Sequence, residues 1–106
     1  ETGGNIIVMT DPEEAASGAD VVYTDVFASM GQEEEATMRL QAFEGYQVNA
    51  QIMNQAKDEA IFLHCLPAHR GEEVATDVID GKQSVIFDQA ENRLHAQKAL
   101  LVTLLG

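Results

Sequence analysis

Apolar residues in this chain gather into short runs instead of spreading evenly. Four runs, "NIIVM" (5–9), "DVVYTD" (20–25), "AIFLHC" (60–65) and "SVIFD" (84–88), are rich in Val, Ile or Phe and lack clean alternation with polar positions. That pattern predicts parallel β-strands covered on both faces. The stretches between them carry helix punctuation. "DPEEAASGA" opens with Asp11 as N-cap, Pro12 at the first helical position and acids in the first turn. "QEEEATMRLQAFEG" sets Met38, Leu40 and Phe43 among polar residues and stops at Gly45. "NAQIMNQAK" and "GEEVATDVIDG" are shorter candidates, the second ending at Gly81, and "AENRLHAQKALLVTLLG" is the longest. The β-α alternation predicts an α/β fold, an open parallel sheet with right-handed crossovers. This is the doubly wound, Rossmann-like arrangement in three αβα layers. No internal repeat, low-complexity tract or linker interrupts it.

Composition narrows the function classes. The chain has 106 residues, one domain of modest size. Its formal net charge is −12, from 18 Asp and Glu against 6 Lys and Arg. Such a balance argues against nucleic acid, whose phosphates need clustered Lys and Arg. The acids are spread along the chain, Glu33-Glu34-Glu35 being the one dense run, and read as solvated surface. No segment reaches the ~18 apolar residues of a membrane span, and no basic region precedes the first apolar run as in a signal peptide. One cysteine cannot form an internal disulfide, which suits a reducing cytoplasm.

In open α/β sheets, ligands bind outside the carboxyl ends of the strands. Here the strands are followed by "TDVFASMGQ", "HCLPAHRG" and "DQAENR", three polar segments that would open on one edge. They predict a site built from Asp25, Ser29, Met30, Cys65 and Arg93 or their neighbours. Each residue also has a plainer use. Asp25 can end a strand and cap the next turn; Ser29 and Met30, before Gly31, can form a turn or a hinged loop over a ligand. Cys65 can be core filling, a metal ligand, a nucleophile or a substrate contact. A zinc site is disfavoured because His64, Cys65 and His69 lack a fourth ligand. Pro67, directly after a strand, is a place where a cis peptide can turn the Leu66 carbonyl toward a ligand. Arg70 and Arg93 both lie on the predicted site segments. Arg93, in the first turn of a helix, opposes the helix dipole, so an anion or carbonyl partner would explain it better than helix stability does.

"DVVYTDVFASMGQEEE", "YQVN", "FLHCLPAHRGEEV" and "FDQAENRLHAQKALL" together resemble the C-terminal part of the ornithine carbamoyltransferases, in order and approximate spacing, over nearly the whole chain. The resemblance implies transfer of a carbamoyl group from carbamoyl phosphate to the δ-amine of ornithine, giving citrulline and phosphate, with no metal and no organic cofactor. It implies that Asp25 and Ser29 bind the ornithine α-amino end and that Met30 belongs to the same loop and contacts the substrate. Cys65 would lie beside the reacting amine. The Leu66 carbonyl would accept from the carbamoyl NH₂ group, with a cis Leu66–Pro67 bond, and Arg93 would contact carbamoyl phosphate near its carbonyl. Phe27 stands where many relatives carry Trp, a conservative departure.

The same resemblance makes residues 1–106 a portion of the ornithine-binding domain, lacking that domain's first strand and helix and the whole N-terminal domain. Residues 89–105 would be the C-terminal helix packing toward that missing carbamoyl-phosphate domain. Absent are the Ser-Thr-Arg-Thr-Arg phosphate loop, the His-Pro-Thr-Gln segment and the asparagine for the ornithine carboxylate. The implied partners are the two substrates, the rest of the chain and two further copies in a homotrimer, in the cytoplasm. Two rivals stand beside this reading: a carbamoyltransferase for another amine such as putrescine, and a non-catalytic ligand-binding or assembly fragment.

Overall fold

The computed structural model describes residues 3–27 and 44–106. The first helix, α1 (Pro12–Ala16), starts as its sequence dictates. Asp11 Oδ1 accepts from the Glu13 and Glu14 backbone N–H groups at 3.0 and 3.5 Å, and Pro12, which has no N–H to satisfy, takes the first position. Gly18, with φ +70°, turns the chain after it, and its N–H donates to the Gln55 carbonyl at 2.9 Å. That bond ties α1 to the end of α2 (Ala50–Gln55), whose own N-cap is Asn49, with Oδ1 accepting from Ile52 N–H at 3.0 Å. Each helix is joined by a short turn to a strand, β1 (Val21–Thr24) or β2 (Ile61–His64).

The two strands pair in parallel, Val21 opposite Ile61 through Thr24 opposite His64. Burial alternates along β2: Phe62 and His64 are enclosed, while Ile61 is exposed. One face of the sheet therefore carries the core and the other is more open, so the expectation of strands covered on both faces is not met among the described residues. The core joins Phe62 of β2 to Ile52 and Met53 of α2, Val78 and Ile79 of α3 (Thr76–Ile79), Ile86 at the start of α4 (Ile86–Leu105), and the bridged pair Val48 and Val74.

Of the four predicted strands, 20–25 and 60–65 form. Residues 5–9 do not: Ile6 and Val8 are more than 90% exposed, with no neighbouring strand edge among the described residues to receive their backbone. Residues 84–88 divide. A single bridge sets Ser84 beside Phe62, and the chain then turns helical at Ile86. The predicted helix over "GEEVATDVIDG" shrinks to α3, because residues 71–73 form a turn, with Gly71 at φ +87°, and Val74 bridges to Val48 and Arg70. The helix expected over 32–45, with Met38, Leu40 and Phe43, lies outside the described residues. The class is α/β with a parallel sheet, as expected, with two strands and three isolated bridges described.

Phe62 is fully enclosed at the centre of this core. Phe62→Ala is expected to lower unfolding free energy by about 3–5 kcal/mol, read as a fall in urea midpoint with little change in slope; a loss below about 1 kcal/mol would show that the core lies elsewhere.

Candidate active site

The parallel register carries the site. With Thr24 opposite His64, the next residues out, Asp25 and Cys65, leave neighbouring strands at the same level, about 4.8 Å apart in backbone. Their side chains meet: Cys65 Sγ donates to Asp25 Oδ1 at 3.0 Å, and the Val26 N–H donates to the same oxygen at 2.6 Å. These two donors, the thiol first, hold the Asp25 carboxyl below the usual carboxylate range, against a smaller opposing effect of burial. The pair acts oppositely on sulfur. The bond to Asp25 raises the Cys65 thiol above its ordinary value, assisted by burial and the carboxylate charge, while the Tyr23 side chain pulls it back. Cys65 is therefore a protonated donor at neutral pH. A thiolate nucleophile, one of the four uses open from sequence, needs the opposite environment.

Cys65 opens on a cavity of about 440 Å³, lined also by Tyr23, His64, Leu66, Gln89 and Arg93. The Leu66–Pro67 peptide is cis, as the sequence position suggested. Arg93 reaches this cavity from the second turn of α4, since the helix begins at Ile86. The expectation that it sits in a first turn, against the dipole, is corrected by that early start. Cys65, Leu66 and Arg93 thus line one cavity, and Asp25 is bonded to Cys65 beside it. Ser29 and Met30 lie outside the described residues. Arg70 turns elsewhere, in a paired contact with Asp80 at 3.0 and 2.8 Å. The bond raises the guanidinium and lowers the carboxyl of Asp80.

Behind Cys65 lies a buried polar cluster that pattern reading missed. His64 and Glu73 are both 0% exposed. Both ring nitrogens of His64 face oxygens, Nε2 the Glu73 Oε1 at 2.9 Å and Nδ1 the Cys65 carbonyl. The same Oε1 accepts from the His69 N–H at 2.7 Å. The signal was present in the sequence. His64 shares its strand face with Phe62, and a histidine placed in a core demands an oxygen partner, which the acidic pair nine residues on can supply. The zinc grouping of His64, Cys65 and His69 is not assembled. Among the described residues, the side chains spaced to share an ion are His69, Glu72 and Glu73, with ligand atoms within 4.8 Å of one another. No described helix is long and apolar enough to cross a membrane.

Known proteins share this chain's sequence and fold. The family described as "Aspartate/ornithine carbamoyltransferase, Asp/Orn binding domain" matches residues 1–104. An ornithine carbamoyltransferase from Symbiobacterium thermophilum is 64% identical over 104 residues, which are 98% of this chain and 34% of that protein. The structure of ornithine carbamoyltransferase from Pyrococcus furiosus superposes with a TM-score of 0.79 at 62% identity, over 86% of this chain and 29% of that one. Ornithine transcarbamoylase from Giardia lamblia gives 0.84 at 41% identity, over 94% and 31%. The chain spans about a third of the length of these relatives.

The thiol–carboxylate pair has a titration signature. Asp25→Asn removes both the strongest acceptor and the charge, so the pH profile of Cys65 alkylation should move down toward an ordinary thiol. Mass spectrometry of the Cys65 peptide reads it; an unchanged profile would dissolve the pair.

Proposed function

Because the chain belongs to the aspartate/ornithine carbamoyltransferase family, through its Asp/Orn-binding domain, we propose that the protein containing it carbamoylates the δ-amine of L-ornithine. Carbamoyl phosphate is the donor, and citrulline and phosphate are the products. The observation that carries this reading is the bond between Cys65 and Asp25 at the mouth of a cavity shared with Leu66 and Arg93.

The chemistry follows from the charges. The δ-nitrogen attacks only as the free amine, whose conjugate acid has a lysine-like pKa near ~10. A neutral thiol beside that nitrogen does not favour its ammonium form, whereas a bare carboxylate in the same place would. Asp25, held ionised, and Ser29 take the α-ammonium end, and Met30 contacts the same substrate. As the nitrogen bonds to the carbamoyl carbon, the bond to the phosphate oxygen breaks and phosphate leaves with those electrons. The attacking nitrogen gives up a proton, which the departing phosphate takes. Arg93 stabilises the negative charge developing on the carbonyl oxygen, and the Leu66 carbonyl accepts from the carbamoyl NH₂. Holding two substrates in attack geometry can supply up to ~7–11 kcal/mol.

The sequence carries no Ser-Thr-Arg-Thr-Arg loop for the phosphate, so these residues form one side of a site. The exposed leucines of α4, Leu94, Leu101, Leu104 and Leu105, suit the role of residues 89–105 as a helix that packs on a carbamoyl-phosphate domain. A homotrimer in the cytoplasm is the corresponding assembly. Ornithine is favoured over putrescine because a diamine has no α-amino acid head for Asp25 and Ser29.

The intact protein should form citrulline from ornithine and carbamoyl phosphate and do little with putrescine. The 106-residue piece alone should form none. Cys65→Ala should weaken ornithine binding and slow turnover while sparing carbamoyl phosphate affinity; Arg93→Ala should cut kcat by about 10²–10³ and weaken carbamoyl phosphate instead. Preference for putrescine, or equal losses for both ligands in Cys65→Ala, would defeat the assignment.

A further inference from the structure

The backbone ladder on the far side of β2 ends in an irregular rung beside the candidate site. Phe62 N–H donates to the Gln83 carbonyl at 2.8 Å, and Val85 N–H donates to the Phe62 carbonyl at 3.1 Å. A parallel ladder advances two residues per step, so the next bond would run from His64 N–H to the Val85 carbonyl. That carbonyl already points into α4, where it accepts from Gln89 N–H at 2.9 Å as the first bond of the helix. The helix begins before the ladder is complete. The side chain of Gln89 supplies the missing acceptor, its Oε1 receiving the His64 N–H at 2.9 Å.

We infer that Gln89 is a positioning residue for the reaction proposed above: its side-chain amide replaces a strand carbonyl, locks the carboxyl end of β2 to the first turn of α4, and so sets Cys65 against Arg93 across their shared cavity. Residues four apart on a helix share a face, so the face that Gln89 anchors presents Arg93 one turn further on, and both line the cavity with Cys65. His64 is fully buried, so without this acceptor its N–H would be left unpaired away from water. The kinetic consequence rests on the carbamoyltransferase reading, while the structural consequence rests on the ladder alone.

Two substitutions in the intact protein separate the possibilities. Gln89→Met keeps length and flexibility but offers no comparable acceptor; Gln89→Glu keeps an oxygen in place. In Gln89→Met, exchange of the His64 amide should accelerate about 10- to 100-fold. The alkylation profile of Cys65 should move to lower pH as its bond to Asp25 loosens. The turnover number should fall about 10- to 100-fold, with KM for ornithine within about threefold. Gln89→Glu should keep the His64 amide protected, while its charge beside Arg93 raises KM for carbamoyl phosphate. Unchanged His64 exchange and Cys65 alkylation in Gln89→Met would overturn the inference whatever the activity, as would loss of His64 protection in Gln89→Glu. Movement of both readouts in a parent that forms no citrulline would uphold the ladder bond and overturn the carbamoyltransferase reading instead.

Discussion

Everything at the candidate site follows from one pairing, the parallel register of β1 on β2. Parallel strands end together, and a register that sets Thr24 opposite His64 leaves Asp25 and Cys65 side by side where the sheet stops. An antiparallel pairing would have carried those residues to opposite edges. A shift by one residue would have moved Cys65 level with Thr24 and turned His64 out of the core. The register is itself held by helix geometry. The bond from Gly18 to Gln55 and the ion pair of Lys57 with Asp20 fix the two incoming chains at the amino ends of the strands.

Burial supplies the second constraint. Phe62 and His64 occupy the same face of β2, one apolar and one polar, and both are enclosed. The apolar residue needs only neighbours, but the histidine needs partners for its ring and its backbone. Glu73 serves the ring and the loop N–H of His69, and Gln89 serves the backbone. Each partner comes from a different segment, so satisfying one buried residue ties the post-strand loop and α4 to the end of β2. The loop that carries Cys65 and Leu66 is thereby given a defined position without a regular element of its own.

How far the sequence could be read depended on where the determining forces lie. Residues 20–25 and 60–65 were legible as strands because they are apolar and each finds the other. Residues 5–9 are just as apolar, but strand formation requires a partner edge, and no local pattern reports whether one is present. In "SVIFD" the same β-branched and aromatic residues enter a helix after a single bridge, a tertiary override of propensity at Ile86. That Cys65 and Leu66 would border a cavity was legible because open α/β sheets bind ligands at the carboxyl ends of their strands, whereas Arg93 reaches it from within α4. Glu73 and Gln89 were not singled out, since their roles are set by the backbone groups they satisfy.

Charge bears on what these residues can accomplish alone. Among the described side chains lining the site cavity, Arg93 is the one cation, in a chain of net charge −12. Such a surface suits an incoming ammonium, which Asp25 can meet as an ionised partner while the protonated thiol beside it adds no further negative charge. It does not suit an acyl phosphate, whose multiple negative charge a single guanidinium does not balance and whose approach the surrounding acids oppose. In the proposed reaction the two substrates therefore divide between two electrostatic environments. These residues provide the amine side and one arginine at the reacting carbonyl. On that reading the phosphate needs cations besides Arg93, and the arginine's part is confined to the reacting carbonyl.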